Sequence, residues 1–262
     1  MTRLAHIADL HFGDEDPSLV ADFLTRLPEA GVDVVVVAGD LTQTGSRREF
    51  ALAADFLAAI DPPVVLTPGN HDTPLLDIAS RLTRPWRRLQ SAMAAHATPR
   101  FADNDIHIES FNSARGAQFR LDWSLGVISR RKLAAPIKAL SESPAGTRIL
   151  TAHHPILSPL ENRGRARTRR APRFAQQIAE TADLVLTGHL HQHFACPVDT
   201  GARTSWFVGV STAFSSRTRE EAAGFNLIDI SDTHFDLHRF DAVEQGDQRK
   251  FEATGKTRLE RQ

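Results

Sequence analysis

The sequence predicts an α/β fold containing at least one largely parallel sheet. Two observations carry that expectation: short β-branched apolar runs recur along the chain, and helical patterns lie between most of them. Such alternation implies strand–helix–strand crossovers. Residues 3–8 read as the first strand and 33–38, Asp33-Val34-Val35-Val36-Val37-Ala38, as the second. Residues 64–66, 147–152 and 183–187 follow the same pattern. Their near-continuous apolar character suits strands covered on both faces. Between them, a helix is expected over 17–30, opening with Pro17-Ser18, and another over 46–59. The second begins at Ser46 with Glu49 three residues later, the spacing of a capping box. Further helices are expected around 85–96, 129–142 and 172–182. After His191 the texture changes: 194–199, 204–211, 225–231 and 233–241 read as strands joined by short turns, Ser231-Asp232 being one such turn. Residues 244–262 are polar and charged with few apolar anchors, so a mobile C-terminal tail is expected after a domain spanning 1–243.

A chain of 262 residues has room for one large hydrophobic core, and 41% apolar with 24% charged residues is the balance of a soluble globular protein. A formal net charge of −1 supplies no bulk electrostatic pull toward nucleic acid or membranes. The lone Cys196 excludes an intramolecular disulfide and suits a reducing compartment. With no basic-then-apolar leader and no apolar run long enough to span a bilayer, the expectation is a cytoplasmic protein without a transmembrane segment.

Five polar motifs follow the apolar runs in a fixed order. They are Asp9-Leu10-His11, Gly39-Asp40, Gly69-Asn70-His71-Asp72, His153-His154-Pro155 and Gly188-His189-Leu190-His191. Strand ends of an open α/β sheet are where ligands usually bind. In extended backbone the side chains at i and i+2 point the same way, so Asp9 with His11, or His189 with His191, could hold one ion. Glycine before Asp40 and Asn70 allows the chain to turn sharply before a candidate ligand. Imidazole, carboxylate and one amide together suit Mn, Fe, Zn or Co better than Ca or Mg. Any one motif alone means little, and a structural site closes with four ligands around one ion; the donors here exceed that need.

This order of motifs resembles the calcineurin-like metallophosphoesterase superfamily from Asp9 to His191. The resemblance implies two packed mixed β-sheets flanked by helices, an αββα sandwich, and two divalent or trivalent metal ions. One ion would be held by Asp9, His11, Asp40 and His191, the other by Asp40, Asn70, His153 and His189, with Asp40 bridging. The family pattern His-any-Pro selects His153 and leaves His154 as a neighbour facing substrate. His71 would protonate the leaving oxygen or stabilise the transition state, and Asp72 would orient its ring; Asn70 would also touch substrate. The chemistry implied is attack on phosphorus by a metal-activated hydroxide.

Departures from the pattern narrow the branch. Gly39-Asp40 is followed by Leu41-Thr42-Gln43-Thr44-Gly45, unlike the protein Ser/Thr phosphatases, and His71 stands where one type of UDP-diacylglucosamine pyrophosphatase has arginine. The DNA-repair nucleases carry a large cap after the last motif that this chain lacks. What remains resembles the bacterial class III cyclic nucleotide phosphodiesterases and their glycerophosphodiesterase relatives. The expectation is a phosphodiesterase of small molecules, with a phosphomonoesterase, a nuclease or a non-catalytic scaffold as alternatives. No stable nucleic acid complex is expected, and a homodimer is left open. Between His153 and Gly188, residues 162–173 hold six arginines. Arg165 and Arg167 are candidates to grip an anionic substrate, weighed against a solvated surface loop.

Overall fold

Two six-stranded mixed sheets pack face to face, with helices on their outer sides, in a computed structural model that describes residues 1–118, 122–158, 168–215 and 221–261. The first sheet is built around β1 (Thr2–Ile7), β2 (Val34–Val37) and β3 (Val64–Leu66), which run parallel. On the other side of β1 it continues antiparallel through β10 (Gly224–Ile230), β11 (His234–Gln245) and β12 (Gln248–Glu260). The second sheet orders β4 (Arg100–Ala102), β5 (Ile106–Phe111), β6 (Thr147–Ala152), β7 (Leu184–Thr187), β9 (Thr204–Gly209) and β8 (Phe194–Asp199). Its four middle strands are parallel and its two edges antiparallel.

The valine run of β2 shows why the apolar stretches are continuous. Val34 and Val36 face the second sheet, in one cluster with Leu4, Val65, Ile149 and Leu186. Val35 and Val37 face outward to α1 (Pro17–Ala30) and α2 (Arg47–Ala58), in a second cluster with Ile7, Phe23 and Phe56. Both faces are dry, so no polar position is tolerated, and each such side chain contributes about 1.5–3 kcal/mol by leaving water. The outer face of the second sheet is covered likewise by α5 (Arg130–Ser141) and α6 (Ala175–Thr181), through Leu133, Leu140 and Ile178. The Ser46–Glu49 capping box forms at the start of α2, and Glu49 also accepts from the Thr44 hydroxyl at 2.6 Å.

The C-terminal stretch is a correction. Residues 244–261 do not form a tail of coil: β12 pairs with β11 over nearly its whole length, in a hairpin turning at 246–247, and residue 262 lies outside the described residues. An edge strand exposes much of its surface, so few apolar anchors suffice, and Phe251 and Leu259 supply them, both buried. Its charges satisfy the neighbouring strand instead: Arg258 and Lys256 meet Asp236 at 2.9 and 3.0 Å. A charged edge of this kind also discourages pairing with another chain. β4, β5 and α3 (Ile78–Thr83) have no counterpart among the expected elements, and α4 (Arg87–Met93) is shorter than the helix expected around 85–96.

Candidate metal centre

All five motifs arrive at one end of the sandwich, beyond the carboxyl ends of β1, β2, β3, β6 and β7. The turns that bring them there have an unusual backbone. Among the described residues six non-glycine residues have positive φ, and five of them are Asp9 (53°), His11 (49°), Asp40 (51°), His189 (69°) and His191 (56°). A left-handed residue with a side chain costs roughly 1–2 kcal/mol. Such strain concentrates where surrounding structure over-determines a functional geometry. Here it reverses the chain immediately after a strand and throws each side chain inward.

Two groups of donor atoms result. In the first, Asp9 Oδ1 lies 3.2 Å from His191 Nε2 and 3.8 Å from His11 Nε2, and the two imidazole nitrogens are 3.4 Å apart. In the second, His153 Nε2 lies 3.2 Å from Asp40 Oδ2 and 3.2 Å from Asn70 Oδ1. The His189 ring packs 5.1 Å from that of His153. Asp40 stands between the groups: its carboxylate comes within 4.8 Å of donor atoms of Asp9 and His11 from the first group, of His153 from the second, and of His71.

The arrangement fits cations. His153 Nδ1 donates to the Ala38 carbonyl at 2.8 Å, so in the neutral ring Nε2 carries a lone pair. That lone pair confronts two oxygens, Asp40 Oδ2 and Asn70 Oδ1, in a fully buried place. Only a positive charge relieves three converging acceptors. Burial works against charging the ring, yet the Asp40 carboxylate outweighs it and raises the His153 pKa to about 9. Asp40 itself is held well below the carboxylate range, its burial overcome by His153 and His71. Burial, partly offset by Asp40 and Asp9, pushes His11 down to about 4, so its ring is a neutral donor near pH 7. The ionised Asp40, the neutral His11 ring and a His153 Nε2 that calls for positive charge are what a divalent transition ion would answer, taking the place of the proton on His153.

The sequence model of the calcineurin-like phosphoesterases matches residues 2–193, which contain every one of these donors. The chain belongs to the calcineurin-like phosphoesterase family. It is therefore a phosphoric ester hydrolase of a family that uses divalent metals. A probable cyclic nucleotide phosphodiesterase of Synechococcus sp. is 25% identical over 248 residues, 87% of this chain and 87% of its own. A glycerophosphodiester phosphodiesterase of Enterobacter lignolyticus is 36% identical over 80 residues, 26% of this chain and 29% of its own. A dimetal phosphatase from Danio rerio has the same fold, with a TM-score of 0.66 at 13% identity over 99% of this chain and 98% of that one.

Two residues with expected roles in this phosphoesterase centre make other contacts. His154, expected to face substrate, lies with His153 and His189 in one group of ring nitrogens within 4.8 Å of one another. It is buried, its Nδ1 lies 2.8 Å from the Ser113 hydroxyl and its Nε2 lies 2.7 Å from the Ser124 carbonyl. Burial, with the charge of His153, takes its pKa down to about 3, and the neutral ring packs 4.8 Å from His153 and 4.5 Å from His189. His154 is thus the wall against which two candidate ligands stand. Asp72 does not orient the His71 ring. Its carboxylate turns inward to accept from Thr42 N at 3.1 Å and Gly69 N at 2.9 Å, tying the second motif to the third. Burial and the Asp40 charge raise its pKa to about 7. The His71 ring is set by a backbone group instead, the Gln43 carbonyl, 2.7 Å from Nδ1. Arg165 and Arg167 lie outside the described residues.

Ser113 and Ser124 were not foreseen. Ser113 lies just past β5, whose alternation Ile106, Ile108 was a usable signal for a strand end. Nothing local marks Ser124, since its contribution is a backbone carbonyl.

The motif glycines are needed because another motif occupies the space of a side chain. A Cβ on Gly188 would meet Asp9 Oδ2 at 2.6 Å, and one on Gly69 would run into Asp40 Oδ1 and the Asp40 backbone nitrogen. Gly69→Ala must push apart the loops bearing Asp40 and Asn70. We expect it to lower stability by about 1–3 kcal/mol, the range for overpacking, and to lower metal content. Denaturant unfolding and metal analysis would measure both. Wild-type values in both would show that the approach of the two loops is not limiting.

Proposed function

We propose that the chain is a dinuclear metal-dependent phosphodiesterase of small phosphodiesters, with 3′,5′-cyclic nucleotides the leading substrate. The observation that carries the dinuclear reading is the position of Asp40 within reach of both donor groups. Asp9, His11, Asp40 and His191 would hold one ion; Asp40, Asn70, His153 and His189 the other. Bound there, two cations would acidify a water and neutralise charge on the phosphoryl oxygens. The protein's own groups supply the rest. The Gln43 carbonyl holds the Nδ1 side of the His71 ring, which leaves Nε2 as the nitrogen free to give a proton to the departing ester oxygen. His71 is half-buried at the rim of the group, placed to touch both substrate and solvent. Asn70 would hold the second ion through Oδ1, 3.2 Å from His153 Nε2, and offer its amide N–H groups to the substrate. A diester leaves with a poor alkoxide, so a positioned proton donor is worth more there than for an activated ester.

The names of the two phosphodiesterase relatives given above support a diester substrate over a monoester. The test is a kinetic panel on metal-reconstituted protein: cyclic nucleotides, glycerophosphodiesters, aryl mono- and diesters, and single-stranded DNA. We expect diesters to exceed the matching monoesters in kcat/KM, with cyclic nucleotides the best natural class. Faster hydrolysis of aryl monoesters across pH would overturn the reading, as would single-stranded DNA cut far better than any small diester.

A further inference from the structure

The apolar surface that the sandwich leaves uncovered begins four residues beyond His71. Among the described residues the exposed large hydrophobic side chains are Met1 and four in one short segment: Leu75, Leu76, Ile78 and Leu82. Leu76 is 92% exposed, so it stands almost clear of the protein. Ile78 and Leu82 are one turn apart on α3 and share its outward face. Scattered surface leucines need no explanation, but a contiguous set does.

The same segment is strongly basic. Residues 74–96 contain four arginines and one acidic residue, Asp77, on a chain whose net charge is −1. Two of the arginines are used internally: Arg81 is buried against the Gly116 carbonyl, and Arg88 is held by Asp77 at 2.7 Å. The other two, Arg84 and Arg87, together with Arg47 of α2, are exposed and have no side-chain partner among the described residues. They rim a groove of about 820 Å³ between α2, α3 and α4, lined also by Phe50, Ala54 and Ala92. An apolar ridge therefore runs beside a groove with unpaired guanidinium groups and apolar lining.

We propose that this ridge and groove form a docking surface for an anionic phospholipid membrane. A second copy of the chain is a poor occupant, because a two-fold contact through this face would bring Arg47, Arg84 and Arg87 against their own counterparts. An anionic lipid surface answers both features at once. The leucines enter the boundary of the acyl region, and the guanidiniums pair with headgroup phosphates. No helix among the described residues is long and apolar enough to cross a membrane, so this attachment is peripheral. Four residues span at most about 14 Å, so Leu75 and His71 cannot be further apart than that. Docking would hold the candidate metal centre at the interface, where phosphodiesters are abundant; that consequence rests on the proposed function, whereas docking itself does not.

Co-sedimentation of the full chain with phosphatidylcholine vesicles, with and without phosphatidylglycerol, tests the proposal. The wild type should bind the phosphatidylglycerol vesicles, more weakly as salt rises, and leave pure phosphatidylcholine nearly unbound. Arg84→Glu with Arg87→Glu should weaken binding by on the order of thirtyfold or more, since each basic residue near such a surface contributes about fivefold. Leu76→Ser with Ile78→Ser should weaken it by at least about tenfold. Both pairs are exposed, and hydrolysis of a soluble aryl diester should be unchanged in each, which separates docking from damage to the centre. Absence of wild-type binding, binding indifferent to lipid charge, or binding untouched by either double variant would overturn the proposal. So would a concentration-dependent dimer, seen without vesicles, that Leu76→Ser with Ile78→Ser dissociates.

Discussion

Asp40→Ala is expected to leave the protein with less than one equivalent of bound metal and to lower turnover by on the order of 10³-fold or more, the scale on which a central electrostatic component of a site is felt. The reason is geometric. Asp40 is 2% exposed, and its two oxygens are spent in different directions: Oδ1 accepts the His71 backbone N–H at 2.7 Å, while Oδ2 lies 3.2 Å from His153 Nε2. Among the described residues it lies with His11 and His71 in one donor group and with Asp9 and His153 in another; Asp9 is likewise in two groups, but Asp40 also lies against both His153 Nε2 and the His71 backbone. Two cations held close together repel unless a shared anion sits between them. Removing that anion therefore weakens both sites, whereas Asp9→Ala should chiefly empty one. Asp40→Asn sharpens the test. The amide oxygen still accepts from His71 N–H, so the loop is held, but the charge is gone. It should fold like the wild type and still fail to retain two equivalents. Metal analysis after equilibration with manganese checks the expectation; two equivalents in either variant would refute a bridging role for Asp40.

His71→Ala is expected to keep near-normal metal content and to lose roughly 10²–10⁴-fold in rate with poor leaving groups, the range for a general acid. Its contact with Asp40 is made by the backbone N–H, which alanine retains, so the candidate bridging carboxylate should stay in place. The ring is what disappears, together with the contact of its Nδ1 with the Gln43 carbonyl. With a nitrophenolate leaving group, which needs little help from a proton, the deficit should shrink. A uniform loss across leaving groups would make His71 an electrostatic element instead. Loss of metal would make it a ligand, since its ring nitrogen lies within 4.8 Å of donor atoms of His11 and Asp40.

The positions of the five motifs were legible without coordinates because the signals are local. An apolar run long enough for one strand, then a glycine or a sharp polar turn, then Asp, Asn or His, states both that a strand ends and that a donor follows. The αββα sandwich followed from the resemblance in those motifs. The tail was misread because composition was weighed over pairing: 248–260 has too few apolar residues for a core strand, yet an edge strand needs only Phe251 and Leu259 on one face and charges opposite Asp236.

What the sequence by itself determined was the inventory of donors and the strand ends that carry them, since both depend on residue type and near neighbours. Tertiary structure decided which atoms meet. His153 and His154 are adjacent, and only the register of β6 between β5 and β7 sends one ring toward Asp40 and Asn70 and delivers the other to Ser113 and the Ser124 carbonyl. Asp72 sits beside His71 in sequence but binds Thr42 and Gly69, because the approach of the second and third motif loops leaves its carboxylate no nearer donor. Leu75, Leu76 and Leu82 stand in solvent, because burial depends on what packs against a face and not on residue type alone.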